Sequence, residues 1–211
     1  MKKLIPFAAL SLLGVVVTSC GGSSTWSLDN ALSDGQLNYA LLIGQIDHND
    51  SAARTAGIRE ALNTRGTATD NANTENPVKG SIEIGGKEYE VNEIVHGEQK
   101  STAGVTWDAQ TATTSTESWL NAYTNIDFFI SNNDGMAEAA TAASNWVEGM
   151  PIFGYDSNQS TLQMIKDGVV MGTINQNAPA QAAAIFMAAR NAIDGLTPEE
   201  VVTKGFKEDS P

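Results

Sequence analysis

Residues 39–50 read YALLIGQIDHND, an apolar run that ends in carboxylate, imidazole and amide side chains. The run Tyr39–Ile46 has the length and composition of a buried strand. A helix-like segment, residues 51–65, follows the polar residues at once. A strand, a polar loop and a helix in this order form the β-α unit of a parallel sheet.

Four further apolar runs are organised in the same way. They are Val91–His96, Phe128–Ile130, Ile152–Tyr155 and Val170–Ile174, with helix-like segments near 109–123, 135–147, 160–166 and 179–194. Five such units predict a three-layer α/β domain with a mostly parallel sheet and the strand order 2-1-3-4-5. Because ligands of such sheets bind beyond the carboxyl ends of the strands, we expect the polar residues there to share one binding site.

Residues 1–19 are predicted to be a signal peptide, with a charged start and an apolar stretch too short for a stable membrane span. The stretch ends in Val17-Thr18-Ser19-Cys20, which resembles the lipobox of bacterial lipoproteins. We therefore expect Cys20 to carry a lipid that anchors an extracytoplasmic domain to the membrane, with Gly21-Gly22-Ser23-Ser24 as a flexible tether. The alternative is an ordinary secretory signal followed by an unpaired thiol.

The chain is strongly acidic, with a net charge of −13 that becomes −15 once the two lysines of residues 1–19 are removed. Such a surface lacks the positive charge that nucleic acids require, and anionic lipid headgroups would repel it. Hydrophobic residues make up 41% of the 211-residue chain, which is enough for one core and favours a single domain.

Residues 67–104 are predicted to be an insertion at the rim of the domain. Thr67–Lys79 is rich in Thr, Asn, Asp and Ala without periodicity, which is typical of a loop or a disordered segment. Ser81–Ile84 and Lys87–Val91 alternate about Gly85-Gly86, which predicts a tight β-hairpin. At the other end, residues 196–211 form a predicted acidic tail.

His48, Asp50 and Arg54 lie where the first strand gives way to the first long helix. Their spacing offers fixed donors and acceptors for several hydroxyl groups on one small molecule. It is equally typical of a helix capped by Asp50, with a surface ion pair between Asp50 and Arg54. Trp107 could stack on the apolar face of a sugar ring at this edge, or it could be an ordinary core residue.

Asn132, Asn133 and Asp134 directly follow an apolar run and must lie beyond the end of its strand. Asp134 is placed to cap the next helix, which leaves one asparagine free to bind a ligand. Asp156 follows its strand in the same way. Its carboxylate can accept two hydrogen bonds from neighbouring hydroxyls, or it can cap the helix that follows.

The sequence offers little for catalysis. It contains two histidines, and it has no Gly-x-Ser-x-Gly elbow, P-loop, HExxH or paired-cysteine motif. A hydrolase built on His48 and Asp50 would need a nucleophile that the chain does not supply. We therefore predict a binding protein that needs no cofactor, rather than an enzyme.

In these stretches the chain resembles the galactose- and glucose-binding proteins of bacterial sugar ABC importers, which are type I periplasmic binding proteins. The matching segments are ALL (40–42), HNDSAAR (48–54), WD (107–108), ISNNDGMA (130–137), PIFGYD (151–156) and Gly168 through GTI (172–174). They occur in order over residues 35–195, and this order makes the resemblance specific.

The resemblance implies a hexose such as glucose or galactose as ligand and a sugar importer's ABC permease as partner. His48, Asp50 and Arg54 would bind hydroxyls, Trp107 would stack on the ring, and Asn133 and Asp156 would add hydrogen bonds. Gln176 falls where the family carries Asn.

Members of the family have two lobes, and the resemblance covers only the carboxy-terminal lobe. A separate amino-terminal lobe is therefore an expected partner. The alternative function is a non-binding lobe that acts as a protein–protein interaction module. The helix near 179–194 contacts the other lobe in the family, so its apolar residues must here cover this sheet or a partner. These residues are Ala183, Ile185, Phe186, Met187 and Ile193.

The family also carries an EF-hand-like calcium loop before its first matching strand, and residues 20–34 combine the tether with the start of this segment. Oxygen ligands remain at Asn30, Asp34, Gln36 and Asn38, and Asp127 stands where a bidentate Glu would close the site. Leu32 replaces an expected donor. Because Ca²⁺ requires about six to eight oxygens, we expect calcium binding to be weak or lost.

Overall fold

The computed structural model describes residues 25–67 and 71–205. Within this part, the strand β1, Gln36–Ile43, organises two hydrophobic cores. Its odd-numbered side chains enter one core and its even-numbered side chains enter the other, as alternation along a strand requires. The buried residues concerned are Leu37, Tyr39, Leu41 and Ile43 on one face and Ala40 and Leu42 on the other. The sheet is therefore covered on both faces, which confirms the three-layer prediction.

Six strands form one sheet in the order β2-β3-β1-β4-β5-β6. The strands after β1 are β2 (Gly80–Ile84), β3 (Lys87–Glu98), β4 (Phe128–Ser131), β5 (Ile152–Asp156) and β6 (Gly172–Asn175). All neighbours pair in parallel except β2 and β3, which are antiparallel. The five parallel strands have the predicted order 2-1-3-4-5.

The described residues contain seven α-helices. They are α1 (Leu28–Ala31), α2 (Asn49–Ala61), α3 (Ala109–Ala122), α4 (Asp134–Ala140), α5 (Gln159–Lys166), α6 (Ala178–Ile193) and α7 (Pro198–Thr203). Ile58 and Leu62 bring α2 against one face, whereas α3, α4 and α5 cover the other. None of these helices has the length and apolar character needed to cross a membrane.

The prediction of a rim insertion at 67–104 is wrong for its second half. The hairpin about Gly85-Gly86 is present, but its second strand continues to Glu98 as β3 and pairs in parallel with β1. The runs Lys87–Val91 and Val91–His96 are thus one strand inside the sheet, and of the two hairpin strands only β2 lies at an edge. The Gly85-Gly86 turn was the strongest signal in this stretch and predicted a separate hairpin. Because most of β3 is only half-buried, its sequence does not indicate an inner strand of the sheet.

The segment before β2 is anchored by the buried side chain of Arg59. Arg59 Nη1 donates to the carbonyl oxygens of Ala72 and Glu75, at 2.5 and 3.2 Å, beside a short 3₁₀ turn over Ala72–Thr74. Asn73 Nδ2 donates to the carbonyl oxygen of Ile46 at 2.9 Å. These bonds give structure to most of the predicted loop Thr67–Lys79. Residues 68–70 of this loop lie outside the described residues. The predicted signal peptide, Cys20 and the tether (residues 1–24) and residues 206–211 also lie outside them.

A helix interrupts the predicted acidic tail. α7 begins with a capping box, in which the Thr197 side chain accepts from the backbone N–H of Glu200 and the Glu200 carboxylate accepts from that of Thr197. Asn191 of α6 donates to the carbonyl oxygens of Val201 and Lys204 at 3.2 and 3.0 Å. α6 therefore contacts α7 through Asn191, and Ile185, Phe186 and Ile193 on its other side stay exposed rather than covering the sheet.

A buried ion pair joins α2 to β3. Arg59 donates to Glu93 through Nε and Nη2 at 2.8 and 2.5 Å, and Tyr39 Oη and His96 Nδ1 lie 2.6 and 2.8 Å from the same carboxylate. Burial alone would raise the pKa of Glu93, but the hydrogen bonds from Arg59, His96 and Tyr39 outweigh it and lower this pKa to about 2.

Replacement of Glu93 by Gln is expected to destabilise the protein by about 3–5 kcal/mol, because it leaves the Arg59 charge buried without its counter-charge. The pH dependence should change as well. A carboxyl whose pKa is lowered on folding stabilises the native state above its unfolded pKa, and this contribution is lost as the pH falls toward 2. The wild type should therefore lose stability between about pH 4.5 and 2 more steeply than Glu93→Gln in denaturant titrations.

Glu90→Gln on the same strand is the matched control. Glu90 pairs with Lys79 at 2.7 Å at the surface, so its replacement should have little effect. Equal losses of stability in the two variants would show that the Arg59–Glu93 pair does not hold α2 to the sheet.

Candidate functional site

All seven side chains selected from the sequence line one cleft of about 200 Å³ beyond the carboxyl ends of the parallel strands. They are His48, Asp50, Arg54, Trp107, Asn133, Asp156 and Gln176. The first three follow β1, and β3, β4, β5 and β6 lead in turn to Trp107, Asn133, Asp156 and Gln176. Every parallel strand thus contributes to the cleft, as the β-α pattern predicts.

Arg54 reaches from α2 across the cleft and is 11% exposed in its side chain. Its Nη1 donates to the carbonyl oxygen of Asn132 at 2.7 Å, and its Nη2 lies 3.6 Å from Asp156 Oδ1. The guanidinium carbon is 4.0 Å from the centre of the Tyr155 ring and 5.5 Å from that of Trp107. These partners come from the ends of three strands, β3, β4 and β5, and hold a positive charge in place. Arg54 pairs with Asp156 and not with Asp50.

His48, rather than Asp50, caps α2. Its Nδ1 accepts a hydrogen bond from the backbone N–H of Asp50 at 3.2 Å. In the neutral ring this leaves Nε2 as the protonated nitrogen and therefore as a donor. The ring meets Trp107 edge-on at 5.5 Å. The carboxylate of Asp50 has no capping duty and lines the cleft.

Trp107 is held in an unusual backbone conformation against the end of β1. Its φ is +57°, and its N–H donates to the carbonyl oxygen of Gly44 at 3.1 Å. The indole lies directly over Gly44, where a Cβ atom would fall 2.1–2.4 Å from three ring atoms. The ring is half-buried, packs against the core and also lines the cleft. Trp107 is therefore a core residue that also forms part of the cleft wall, and its stacking on a sugar stays a prediction.

The three polar residues after β4 divide their tasks differently from the prediction. Asn133 caps α4, because its Oδ1 accepts from the backbone N–H of Met136 at 2.9 Å. Asp134, the predicted cap, is fully buried and accepts from the backbone N–H of Asn158 at 2.8 Å and from Thr173 Oγ1 at 2.6 Å. Since Asn133 caps through its oxygen, its amide nitrogen remains available as a donor in the cleft.

Asp156 is not a helix cap. It has φ +131° at the end of β5, and the N-cap position of α5 is Asn158, two residues later, which makes no side-chain cap hydrogen bond. Gln176 Nε2 donates to Asp156 Oδ1, and Arg54 lies on the same oxygen. Burial raises the pKa of Asp156, and the nearby Asp134 adds to this, while Arg54 and Gln176 oppose it. An additional donor from a ligand would thus meet an incompletely compensated carboxylate.

A second cavity of about 200 Å³ adjoins the cleft on the far side of Arg54. It shares Asp50, Arg54 and Gln176 with the first and adds Ala53, Tyr155 and Gln181. Arg54 therefore lies between two adjoining polar hollows.

The predicted calcium ligands are only partly brought together. Asp127 Oδ2 accepts from the backbone N–H of Asn38 at 2.8 Å, and Asp34 Oδ1 accepts from that of Gln36 at 2.9 Å. The Asn38 side-chain oxygen already accepts from Asn92 at 3.1 Å. Burial raises the pKa of Asp127, and the Asp34 charge contributes to the shift. Asn30 lies in α1, and the described residues contain no group of three or more His, Cys, Asp or Glu side chains suited to a metal.

Four residues of the site were missed by the sequence analysis. Asn132, Gly44 and Tyr155 position Arg54 and Trp107, and Asp134 ties β4 to β5 and β6. Asn132 and Asp134 belong to the polar group that the sequence analysis identified after β4. The sequence alone does not distinguish these two buried residues from Asn133, which faces the cleft. Gly44 had a usable signal, since a glycine inside an apolar strand often marks a close approach by another group.

Residues 18–197 match the family described as "Periplasmic binding protein domain". The chain belongs to this family. The D-galactose/methyl-galactoside binding periplasmic protein MglB of Haemophilus influenzae is 29% identical over 181 residues, which are 83% of this chain and 46% of that protein. A D-ribose/D-allose-binding protein of Pseudomonas aeruginosa is 29% identical over 96 residues, 44% of this chain and 30% of the relative.

Solved structures agree with the fold. An ABC transporter solute-binding protein from Bacillus halodurans with bound myo-inositol has a TM-score of 0.55 at 23% identity, over 81% of this chain and 54% of its own. One from Burkholderia multivorans has a TM-score of 0.55 at 20% identity, over 76% of this chain and 48% of its own. The chain thus spans about half the length of the relatives that it matches.

Replacement of Gly44 by Ala is expected to displace the Trp107 ring, because the added methyl would overlap three of its atoms. Such overpacking typically costs about 1–3 kcal/mol. The variant should melt several degrees below the wild type, and its near-ultraviolet circular dichroism should change.

Gly57→Ala serves as the control, since Gly57 is exposed on α2 with nothing within 4 Å of the added atom. It should stabilise the protein slightly, as Ala does in a helix. A near-ultraviolet spectrum that is the same in Gly44→Ala and in the wild type would contradict the packing of Trp107 on β1.

Proposed function

We propose that the cleft binds a hexose such as glucose or galactose, and that the chain is a substrate-binding component of a sugar ABC importer or a relative of one. The observation that carries this proposal is the charge pair Arg54–Asp156 set beside the half-buried indole of Trp107 in one cleft. A sugar offers hydroxyls that both donate and accept, together with an apolar ring face. This cleft supplies partners for each.

The groups in the cleft are complementary to a ring of hydroxyls. Arg54, the free Nε2–H of His48 and the Asn133 amide can donate, whereas Asp50 and Asp156 can accept. Bonds that involve a charged partner are the stronger ones. The indole of Trp107 offers the flat apolar surface on which a pyranose can stack.

Related proteins support a sugar or polyol as ligand. One relative is named for D-galactose and methyl-galactoside, another for D-ribose and D-allose, and one structural neighbour holds myo-inositol. Each of these molecules displays several neighbouring hydroxyls on a small carbon frame. Gln176 stands where the family carries Asn, and its amide already donates to Asp156. We therefore expect this chain to choose among such sugars differently from its relatives.

The relatives are binding proteins, and the cleft residues fit the same role. Together with the predicted signal peptide, they support an extracytoplasmic domain that Cys20 anchors through a lipid and that delivers sugar to a permease. The backbone N–H of Trp26 donates to the Glu148 carbonyl oxygen at 3.1 Å, at the amino ends of the strands. Trp26 therefore lies on the side opposite the cleft, and a lipid anchor before it would leave the cleft free to face away from the membrane.

A second candidate function is that of a protein–protein interaction module. The observation that favours it is the apolar side of α6, where Ile185, Phe186 and Ile193 are 71%, 72% and 86% exposed. Large apolar side chains grouped in this way on a surface commonly mark an interface. A polypeptide that supplies an amino-terminal lobe is one partner that would suit this side.

This chain alone is expected to bind glucose or galactose only in the millimolar range. Its residues form one wall, so the other face of a bound sugar stays in water and its hydrogen bonds there gain little net free energy. Isothermal titration of the chain with each sugar measures the affinity. Micromolar or tighter binding by the monomer would contradict the expected weakness, and no heat at any sugar concentration would contradict the proposed function.

Trp107→Ala is expected to weaken sugar binding at least as much as Asp156→Ala, by about tenfold or more. Loss of a hydrogen bond to a charged group typically costs about 1.5–3 kcal/mol, and loss of a stacked aromatic ring costs a comparable amount. Stacking does not need a second wall to orient the hydroxyls, whereas a carboxylate that accepts two hydrogen bonds does.

The controls for this pair are Trp107→Phe, which keeps a flat ring, and Asp167→Ala, which removes an exposed carboxylate at the end of α5. Both should retain most of the affinity in the same titration. If Trp107→Ala binds like the wild type while Asp156→Ala does not bind, the stacking role of Trp107 is wrong.

A further inference from the structure

The cleft and the cavity that adjoins it differ in what lines them. Three residues line both, and three more line the second cavity but not the first: Ala53 of α2, Tyr155 of β5 and Gln181 of α6. We name the first the Trp107 hollow and the second the Gln181 hollow, each of about 200 Å³. Neither alone reaches the roughly 300 Å³ at which small-molecule sites usually begin, whereas the two together do. The binding edge therefore has room for a ligand larger than the Trp107 hollow would hold.

The Gln181 hollow is lined by polar groups that are free to bind. The hydroxyl of Tyr155 and the carboxylate of Asp50 make no hydrogen bond within the part of the chain that the structure describes. Gln181 Nε2 donates to the backbone carbonyl oxygen of Gln176 at 2.5 Å, which holds the side chain and leaves Oε1 as an acceptor. Of the described residues in this lining, only Ala53 has an aliphatic side chain. The hollow therefore suits a group that carries hydroxyls, and not an alkyl or aryl group.

Arg54 lies between the two hollows and has more donors than its neighbours use. A guanidinium has five N–H groups. Nη1 donates to the carbonyl oxygen of Asn132 at 2.7 Å, and Nη2 lies 3.6 Å from Asp156 Oδ1. The Tyr155 ring, 4.0 Å from the guanidinium carbon, fixes its plane. The remaining N–H groups can therefore donate to hydroxyls in both hollows, so a ligand that extends past Arg54 keeps charge-assisted hydrogen bonds along its length.

The charges around the two hollows favour an uncharged ligand. Among the described residues that line them, Arg54 is the only arginine or lysine, and it faces the carboxylates of Asp50 and Asp156. The whole chain has a net charge of −13. A phosphate or carboxylate on the ligand would add negative charge to a site that already has more carboxylates than guanidinium groups. Neutral hydroxyls can donate to the carboxylates and accept from Arg54, so they satisfy both.

We propose that the Gln181 hollow is the subsite for a second sugar unit and that the preferred ligand is a neutral disaccharide. One ring would stack on Trp107, and the next would occupy the Gln181 hollow, with Arg54 beside the glycosidic link. Gln176 also lines both hollows, and its hydrogen bond to Asp156 fixes its amide at their junction. This inference rests on the proposed function, because it names the size of the sugar that the same cleft takes.

Isothermal titration of the chain with monosaccharides and disaccharides tests the proposal. Galactose and glucose are compared with lactose, melibiose, maltose and cellobiose, which join these hexoses in different ways. At least one disaccharide should bind about tenfold more tightly than either monosaccharide, because its second ring gains hydrogen bonds in the Gln181 hollow. Methyl β-galactoside adds a single carbon at the anomeric oxygen. It should bind like galactose, since one methyl group does not fill the Gln181 hollow.

Ala53→Leu is the variant that closes the Gln181 hollow. Ala53 is exposed on α2, so a larger side chain there fills the hollow without disturbing the core. The variant should bind the disaccharide about tenfold more weakly, at the affinity of galactose, and its affinity for galactose should not change. Ala61→Leu is the matched control, an exposed position about 12 Å further along the same helix and outside both hollows. It should bind both sugars as the wild type does.

Gln181→Ala provides a second variant, which removes an acceptor and not space. It should weaken disaccharide binding by about threefold or more, as the loss of one neutral hydrogen bond does. Its affinity for galactose should stay that of the wild type, because Gln181 does not line the Trp107 hollow.

Two results would overturn the subsite and leave the proposed function in place. One is galactose binding with no disaccharide bound more tightly than galactose. The other is a tightly bound disaccharide whose affinity is the same in Ala53→Leu and in the wild type, since its second ring would then lie outside the Gln181 hollow. If neither the monosaccharides nor the disaccharides bind, the proposed function fails and this inference fails with it.

Discussion

The buried side chain of Asn132 is the constraint on which the binding edge depends. Its Oδ1 accepts from the backbone N–H of Gly44 at 3.2 Å and from Ser51 Oγ at 2.6 Å, and its Nδ2 donates to Thr55 at 3.3 Å. One amide thereby joins the end of β1, the start of α2 and the end of β4. The backbone carbonyl oxygen of Asn132 also accepts a hydrogen bond from Arg54, so the same residue directs the guanidinium toward Asp156.

The cleft is consequently fixed before any ligand arrives. Its charged side chains are held by neighbours from adjacent strands, and the indole of Trp107 rests on the bare backbone of Gly44. A preformed wall loses little conformational entropy when it binds, which favours recognition of a small rigid ring. The opposite situation holds at α6, where Ile185 and Phe186 have no covering layer in the described residues. The two surfaces imply two different partners, one small and polar and one macromolecular and apolar.

The sequence predicted those features that follow from local patterns. The apolar runs, the polar groups after each of them and the helix-like segments that follow predicted the layers, the strand order and the membership of the cleft. What it could not predict depends on distant contacts. The role of β3 as an inner strand is set by its pairing with β1, and the capping of α2 and α4 by His48 and Asn133 is decided by competition among adjacent polar residues whose energies differ little.

The ion pair of Arg59 and Glu93 shows the same limit. Each residue, taken alone, reads as a surface charge, and only the fold brings them together at 0% exposure of both side chains. The apolar composition of α6 could be seen in the sequence, but whether it covers the sheet required the structure. There Asn191 binds the backbone of α7, and Ile185 and Phe186 stay exposed.

Chemical-shift mapping of the amide and indole N–H groups during titration with galactose tests the central claim most directly. The account predicts saturable shifts at the carboxyl edge, led by the Trp107 indole and by the backbone N–H groups of Asn133 and Asp156, with no change at Trp26 on the opposite edge. Shifts centred elsewhere, or no saturable shift with galactose, glucose or myo-inositol, would contradict a sugar site in this cleft.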